Sequence, residues 1–391
     1  MSDVNALARL GHAVTVFALR PRNGETARLL ARTKLEPSVH VAHASVRDIV
    51  HFPGRALRYR RAVDWALAQT ASTAHSYPSL AVSVPLLLPR LLGIVDEVMR
   101  EGYDVVHAFW GRHPSLVLGA LKALDSNRPT LSVFVGAYDL VRDDAFVDVG
   151  LKCADVRFTH TRSNEEYFHN KGILDVEVVY RGIPVDDFDS PDADTPRAKV
   201  VLTASTLNVR KNVEAVIRTF ALVAAERSDV RLAIAGSGPD RQRLEQIATD
   251  LGLAERVTFL GFLPREELFA RMCEASVFLF LSVKDSERLP NVIKEALLAG
   301  CSIVTSESPG IRELLKGPEF GAIVPRAGVD AAAGALRSAL DEPEETAVKR
   351  RRLAAEWIAT NWSSRTQMAK YVRKWETLVA ANELRGVAAQ R

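Results

Sequence analysis

Short β-branched runs alternate with longer amphipathic runs along most of the chain, and this alternation limits the fold more than any other feature. A chain patterned this way builds βαβ units and parallel sheets. In the first half the strand candidates are 13–19, 39–45, 104–108, 130–135, 156–160 and 177–180. A second series follows at 199–204, 231–235, 257–260, 277–281, 302–305 and 322–324. Between the two series stand Asp186, Asp187, Asp189, Asp192 and Asp194 with Pro191, Pro196 and the lone aromatic Phe188, a composition that suits a linker better than a core. The expected architecture is α/β: two doubly wound domains facing a cleft, with ligands at the carboxyl ends of strands. The expected bounds are 1–188 and 197–355, with carboxy-terminal helices over 356–391 that cross back to the first domain. Met368, Tyr371, Val372, Trp375 and Leu378 recur at helical spacing, a stripe that packs on a core.

A length of 391 residues exceeds what one core holds, in keeping with two domains. Lys and Arg number 51 against 48 Asp and Glu, and the net charge of +3 offers no concentrated face for nucleic acid. The run Arg55, Arg58, Arg60, Arg61 is a local exception. Its plain reading is a solvated helix face; the sharper one is contact with anionic lipid headgroups. Cys153, Cys273 and Cys301 are far apart and form no C-x-x-C pair, which supports neither disulfides nor zinc and points to a reducing cytoplasm. The apolar window 80–95 is broken by Pro85, Pro89 and Arg90 and is too short to span a bilayer. Membrane contact is therefore expected to be peripheral, at the cytoplasmic face.

The stretch from Asp285 to Gly300 carries the most chemistry. It follows an apolar strand. Pro290 suits the first helical position, where a missing N–H costs nothing, and Gly300 is a natural stop. Val292, Ile293, Ala296 and Leu297 give the helix a buried face, so its amino end offers unpaired N–H groups and a partial positive charge to an anion. Glu287 precedes that end and Glu295 lies about one turn below it, so two carboxylates flank one anion site. A second station, 204–212, leaves a strand and enters a helix at Asn212, a competent N-cap, with Arg210 and Lys211 in the loop. Gly236-Ser237-Gly238-Pro239 closes a further strand in a tight turn.

These residues resemble a large family of retaining glycosyltransferases of the GT-B class, which includes glycogen synthases, sucrose synthases and bacterial polysaccharide enzymes. The family carries two glutamates eight apart followed by A-x-x-x-G, and Glu287, Glu295, Ala296 and Gly300 fall on those positions. Pro290 and Asn291 match its common P-N step. The resemblance implies that Glu287 contacts the donor sugar, Glu295 the ribose and Lys211 the diphosphate. Arg210, Gly236, Gly238, Arg288, Leu289, Pro290, Asn291 and Val292 are implied in donor binding. The turn 308–313 matches the family's S-x-x-G-I-x-E, for which a structural role is expected. Departures occur as well. Arg288-Leu289 replaces a Gly-Phe step beside the sugar, and Thr206 replaces a diphosphate-binding arginine that Arg210 is expected to stand in for. In the first half, Gly136 and Asp139 sit where the family has H-G-x-D, but Val135 replaces the histidine. His107 ends a strand candidate in a D-V-V-H step, which makes it either a cleft residue or a satisfied core histidine.

The resemblance implies transfer of a sugar, with retention, from a UDP- or GDP-linked donor to a glycan or polyprenyl-linked glycan. No metal or other cofactor is expected. Asp192-Ala193-Asp194 belongs to the linker, and the helix end with Lys211 can neutralise a diphosphate unaided. Two other readings stay open: a silent nucleotide-sugar-binding or partner-binding protein, and a nucleotide-sugar epimerase, although no acid–base set stands at the first-half strand ends. The first domain is also expected to lack its opening strand and Gly-rich turn, roughly 20–25 residues by analogy with a doubly wound domain.

Overall fold

The computed structural model describes residues 2–19, 34–73, 75, 78–124, 128–142, 145–170, 172–189, 192–326 and 328–389. Residues 190 and 191 of the expected linker lie outside these. The chain divides into two compact units: 1–181 with 367–391, and 182–366.

The first unit holds two parallel sheets. β1 (Val14–Phe17) pairs with β2 (Val39–Ala42), while β3 (Val105–Phe109), β4 (Thr130–Phe134), β5 (Val156–Thr159) and β6 (Val176–Val178) form a four-stranded sheet in that order. β4 is buried at every position, as an inner parallel strand with both faces covered must be. β1 is only half-buried throughout. Among the described residues neither β1 nor β3 has a second ladder partner. The apolar window near residue 90 lies in the helix Pro78–Glu101, which buries Leu91, Leu92, Ile94, Val95 and Val98 in the core. A burial of this kind contributes about 2 kcal/mol per large aliphatic side chain.

The helix Ser364–Ala389 adds its last residues to this unit. Met368 and Tyr371 are buried against Phe134 and Phe158, with Trp375 and Leu378 alongside, so the apolar stripe covers one face of the sheet. Trp375 donates its indole N–H to Ser132 Oγ at 2.9 Å, which satisfies the polar edge of a largely enclosed ring.

The second unit is a single six-stranded parallel sheet. β7 (Ala198–Ala204), β8 (Arg231–Ala235), β9 (Val257–Gly261), β10 (Ala275–Phe280), β11 (Ser302–Ser306) and β12 (Gly321–Val324) run in the order β12-β11-β10-β7-β8-β9. The chain winds outward from β7 to β9, then returns to β10 on the other side of β7 and winds outward again. The reversal makes the carboxyl ends of β7 and β10 a topological switch point, where such sheets open a crevice. The helix Val213–Ala224 buries Val216, Ile217, Phe220 and Val223 under the sheet. The helix Asn291–Leu298 buries Ile293, Ala296 and Leu297, and both begin at the switch-point end of their strands.

Candidate active site

The loop leaving β7 is shaped by two asparagines. Asn208 Oδ1 accepts from Lys211 N at 3.2 Å and closes a single 3-10 turn over Val209–Lys211. Asn212 then adopts a left-handed backbone, φ 51°, and turns the chain into the helix. Its side chain was expected to cap that helix; instead Nδ2 donates to the Leu281 carbonyl at 3.2 Å, because the left-handed turn aims the amide at the end of β10. The Arg210 carbonyl accepts from Val283 N at 3.1 Å. Two loops that are distant in sequence are thereby stitched together.

That stitching brings Lys211 and Glu287 together. Lys211 Nζ lies 2.5 Å from Glu287 Oε1, with side chains 16% and 15% exposed. Ser282 Oγ donates to Glu287 Oε2 at 2.6 Å, so both carboxylate oxygens are engaged. Ser282 was not singled out in the sequence. Its one signal was its place as the first polar residue after the apolar run of β10. The Lys211 ammonium also stands 5.3 Å from the Phe280 ring centroid, on the face where a cation gains from the ring quadrupole.

Pro290 proves to be the residue that precedes the helix Asn291–Leu298, one place earlier than expected, since its carbonyl already accepts from Ile293 N at 3.2 Å. The first N–H groups of this helix therefore point out of its amino end, as an anion site requires. Leu289 and Pro290 are buried and Val292 is half-buried. Asn291 turns its carboxamide inward: Oδ1 accepts at 3.1 Å from Lys294, a wholly buried lysine whose ammonium also stands over the Trp362 ring at 5.1 Å.

Glu295 lies one turn along. Burial pushes its carboxyl above the usual carboxylate range, opposed by Arg265, whose guanidinium donates to Glu295 Oε1 at 2.9 Å. Arg265 was also missed in the sequence. It sits over the Phe188 ring at 4.5 Å, and Phe188 stacks on Phe269 at 4.1 Å, so the aromatic of the acidic stretch is packed within the second unit. Arg288 is half-buried, and desolvation lowers its pKa. Its carbonyl accepts from Ser308 Oγ at 3.1 Å, which ties the turn 308–313 to the site loop. Arg210 keeps its side chain exposed while its backbone holds the loops together.

Gly236 and Gly238 are required by close approach. Gly236 has φ +132°, and a Cβ there would stand 1.8 Å from the Ser205 carbonyl oxygen; one at Gly238 would stand 2.2 Å from that of Leu207. The turn after β8 thus lies directly against the start of the loop after β7, the loop that leads on to Lys211. A cavity of about 250 Å³ opens nearby, lined by Asn212, Glu214, Arg218, Leu281 and Arg326, and the ion pair does not line it.

The first-unit candidates are held differently. His107 is the third residue of β3 and not its end. Nδ1 lies 2.8 Å from Ser132 Oγ, and the rings of Phe109, Phe158, Tyr371 and Trp375 surround it at 5.4–6.4 Å. The residue keeps some accessible surface along the edge of β3, yet desolvation of the imidazole lowers its pKa to about 3. Of its two expected readings, the geometry is that of a neutral core histidine. Asp139 is wholly buried and accepts from Gly136 N at 3.0 Å and Gly111 N at 3.3 Å. A Cβ on Gly136 would stand 2.6 Å from the Trp110 ring, so this pair shapes two loops at the strand ends. Val135 is fully buried. These residues belong to the first unit, and the Lys211–Glu287 pair belongs to the second.

Among the described residues no group of three or more His, Cys, Asp or Glu is arranged to hold a metal ion. Asp192 folds back on its own turn, accepting from Asp194 N at 3.0 Å and Thr195 Oγ1 at 2.8 Å.

Parallel α/β sheets in two units of one chain are the architecture of the GT-B fold. Residues 187–375 match the family described as glycosyl transferases group 1. The chain is 33% identical over 176 residues to a GDP-mannose-dependent alpha-(1-6)-phosphatidylinositol monomannoside mannosyltransferase of Mycolicibacterium smegmatis, covering 44% of this chain and 46% of the relative. The chain spans about half the length of the curated relatives it matches. In structure it resembles sucrose-phosphate synthase from Thermosynechococcus elongatus, with a TM-score of 0.67 and 17% identity over 97% of this chain and 92% of that one. It also resembles Anabaena HepE in complex with UDP, with a TM-score of 0.68 and 17% identity over 96% and 94%.

Proposed function

We propose that this protein is a retaining hexosyltransferase that takes a sugar from a UDP- or GDP-linked donor and passes it to a glycan or lipid-linked glycan at the cytoplasmic face of a membrane. The observation that carries the reading is the Lys211–Glu287 pair, 2.5 Å apart at the switch point and next to a helix amino end. The mycobacterial relative, by its name, uses GDP-mannose and a lipid acceptor, whereas HepE was solved with UDP, so both bases stay within the proposal.

In this reading the donor diphosphate takes the place of Glu287 on Lys211 and lies against the N–H groups after Pro290. Glu287, released but still held by Ser282, orients the sugar hydroxyls. Glu295 receives the ribose. Arg210, Arg288, Leu289, Asn291 and Val292 border the donor, and Gly236 and Gly238 let the backbone come close to the nucleotide. The bond from the anomeric carbon to the diphosphate oxygen breaks, and the acceptor oxygen bonds to the same face. The acceptor proton passes to the departing diphosphate. No enzyme nucleophile takes part; the protein orients the reactants and stabilises charge on the leaving group.

A second reading, a donor-binding unit without turnover, draws on Thr206 and Val135, which stand where the family pattern has an arginine and a histidine. Incubation with a panel of UDP- and GDP-hexoses, followed by NMR of the anomeric proton, separates the two. The transfer reading expects one nucleotide sugar to be consumed, with the α-configured donor giving an α-configured product. Tight binding of one donor with no consumption supports the silent unit, and a β-configured product overturns retention.

A further inference from the structure

Six large apolar side chains of the first unit face outward within a short reach of chain. Val46, Ile49, Val50, Leu57, Val82 and Leu86 are between 64% and 83% exposed. The helix Val46–Val50 buries only Asp48, and the helix Phe52–Arg58 leans on the core through half-buried Phe52 and Ala56. Val46, Ile49 and Val50 share one face of the helix Val46–Val50, while Asp48 points inward and takes Arg55 and Arg90 at 3.4 Å each. Arg55 lies on the helix Phe52–Arg58 and also reaches Asp96 of the helix Pro78–Glu101 at 3.3 Å. This buried network pins the three helices together. Val82 and Leu86 are one turn apart at the free end of the third, and Val84 and Leu88 on its other side are buried.

The exposed charges around these side chains are mostly positive. Arg47 and Arg58 are exposed on the same helices, Arg58 at 3.6 Å from Asp96, and Arg60 and Arg61 are exposed at the start of the next helix, Arg60–Thr73. The acids from His43 to Leu86 are Asp48, which is buried and paired, and Asp64, which lies 3.6 Å from Arg60. Arg47 and Arg61 have no ion-pair partner among the described residues. Apolar side chains ringed by cations have the chemistry of an interfacial seat, with aliphatic groups at the acyl boundary and guanidiniums on lipid phosphates. A second copy of this chain would set arginine against arginine and is disfavoured. No helix of the described residues is long and apolar enough to cross a membrane, so the contact would be made from one side.

We propose that the outward faces of Val46–Val50, Phe52–Arg58 and the first half of Pro78–Glu101 form a docking surface for an anionic lipid bilayer. The surface names the partner of the proposed transferase and rests on that reading only for its biological use. The test is co-sedimentation of the full chain, without donor, with vesicles of phosphatidylcholine alone or mixed with phosphatidylglycerol. The chain is expected to bind the mixed vesicles selectively, and more weakly as salt rises. Arg60→Ala and Arg61→Ala should each weaken binding roughly fivefold. Ile49→Glu and Leu57→Glu should abolish it, while nucleotide-sugar binding in vesicle-free buffer stays unchanged. Equal binding to both vesicle types, unchanged binding of the variants, or a dimer that those variants dissociate would overturn the proposal. A chain that sediments but transfers no sugar contradicts the transferase reading alone, and an active chain that stays in solution contradicts the docking surface alone.

Discussion

Lys211 and Glu287 leave adjacent strands of the second unit, 76 residues apart, and meet as an ion pair of 2.5 Å with Ser282 on the far carboxylate oxygen. In the proposed reading the pair holds an ammonium ready at the sheet's switch point until a donor diphosphate competes for it. Lys211→Ala should lower kcat roughly 10²–10³-fold, the usual effect of removing one preorganised group that stabilises leaving-group charge. Lys211→Arg should recover only part of the rate, because a planar fork does not replace a point charge on a short reach. Turnover measured beside chemical denaturation checks this. An unchanged kcat in a folded Lys211→Ala protein contradicts the assignment.

Gly236 tests the packing of the turn after β8 against the loop that leads on to Lys211. A methyl group there would meet the Ser205 carbonyl oxygen at 1.8 Å, on a backbone with φ +132° that L-residues rarely adopt. Gly236→Ala should therefore destabilise the protein by about 3 kcal/mol, or force the β7 loop to move and raise the donor KM. Urea denaturation reads the first effect and donor titration the second.

Glu295 links function to pH. Burial raises its pKa above the ordinary 4.5, so from 4.5 up to the raised value the folded chain binds more protons than the unfolded one. Stability contributed at this position is present below pH 4.5 and is lost as pH rises through the folded pKa. Glu295→Gln should raise the thermal midpoint at pH 7 more than at pH 4. It should also weaken donor affinity roughly 10–100-fold, since a charged acceptor for the ribose hydroxyls is gone. A variant equally stable at both pH values, with intact donor affinity, would refute both halves.

His107 predicts a separate acid sensitivity. The free imidazole titrates near 6.5 and the folded one near 3, so between these values the unfolded chain binds more protons. Stability contributed here is full above pH 6.5 and falls progressively toward pH 3. His107→Gln should flatten the dependence of unfolding free energy between pH 8 and pH 5, at a cost of about 1–2 kcal/mol at pH 8. Donor binding should not change, because the ring sits among aromatic side chains of the other unit.

Much of this fold is legible in the chain because parallel strands buried on both faces read as apolar runs. The expected runs at 231–235 and 302–305 overlie β8 and β11 almost residue for residue. The helix after Pro290 was visible for the same kind of local reason: a proline at its start, a glycine past its end and an apolar face between. Contacts that depend on two distant loops were not visible. Neither Ser282 beneath Glu287 nor Arg265 between Glu295 and Phe188 has a local signature, since each acquires its partner only when strands align. Asn212 takes the expected N-cap position without the expected side-chain bond, for a related reason. Its residue type suits a cap, but a left-handed backbone sends the side chain to Leu281. His107 depended on a strand's end position, and β3 runs two residues further, to Phe109.

The central claim is that Lys211, Glu287 and Glu295 form the seat of a nucleotide-diphosphate sugar. Thermal denaturation of the wild type and of Lys211→Ala with UDP- and GDP-sugars tests it most directly. A donor present at 100 times its Kd should stabilise the wild type by about 2.7 kcal/mol and the variant by far less. No stabilisation by any nucleotide sugar, or equal stabilisation of both proteins, would contradict the account.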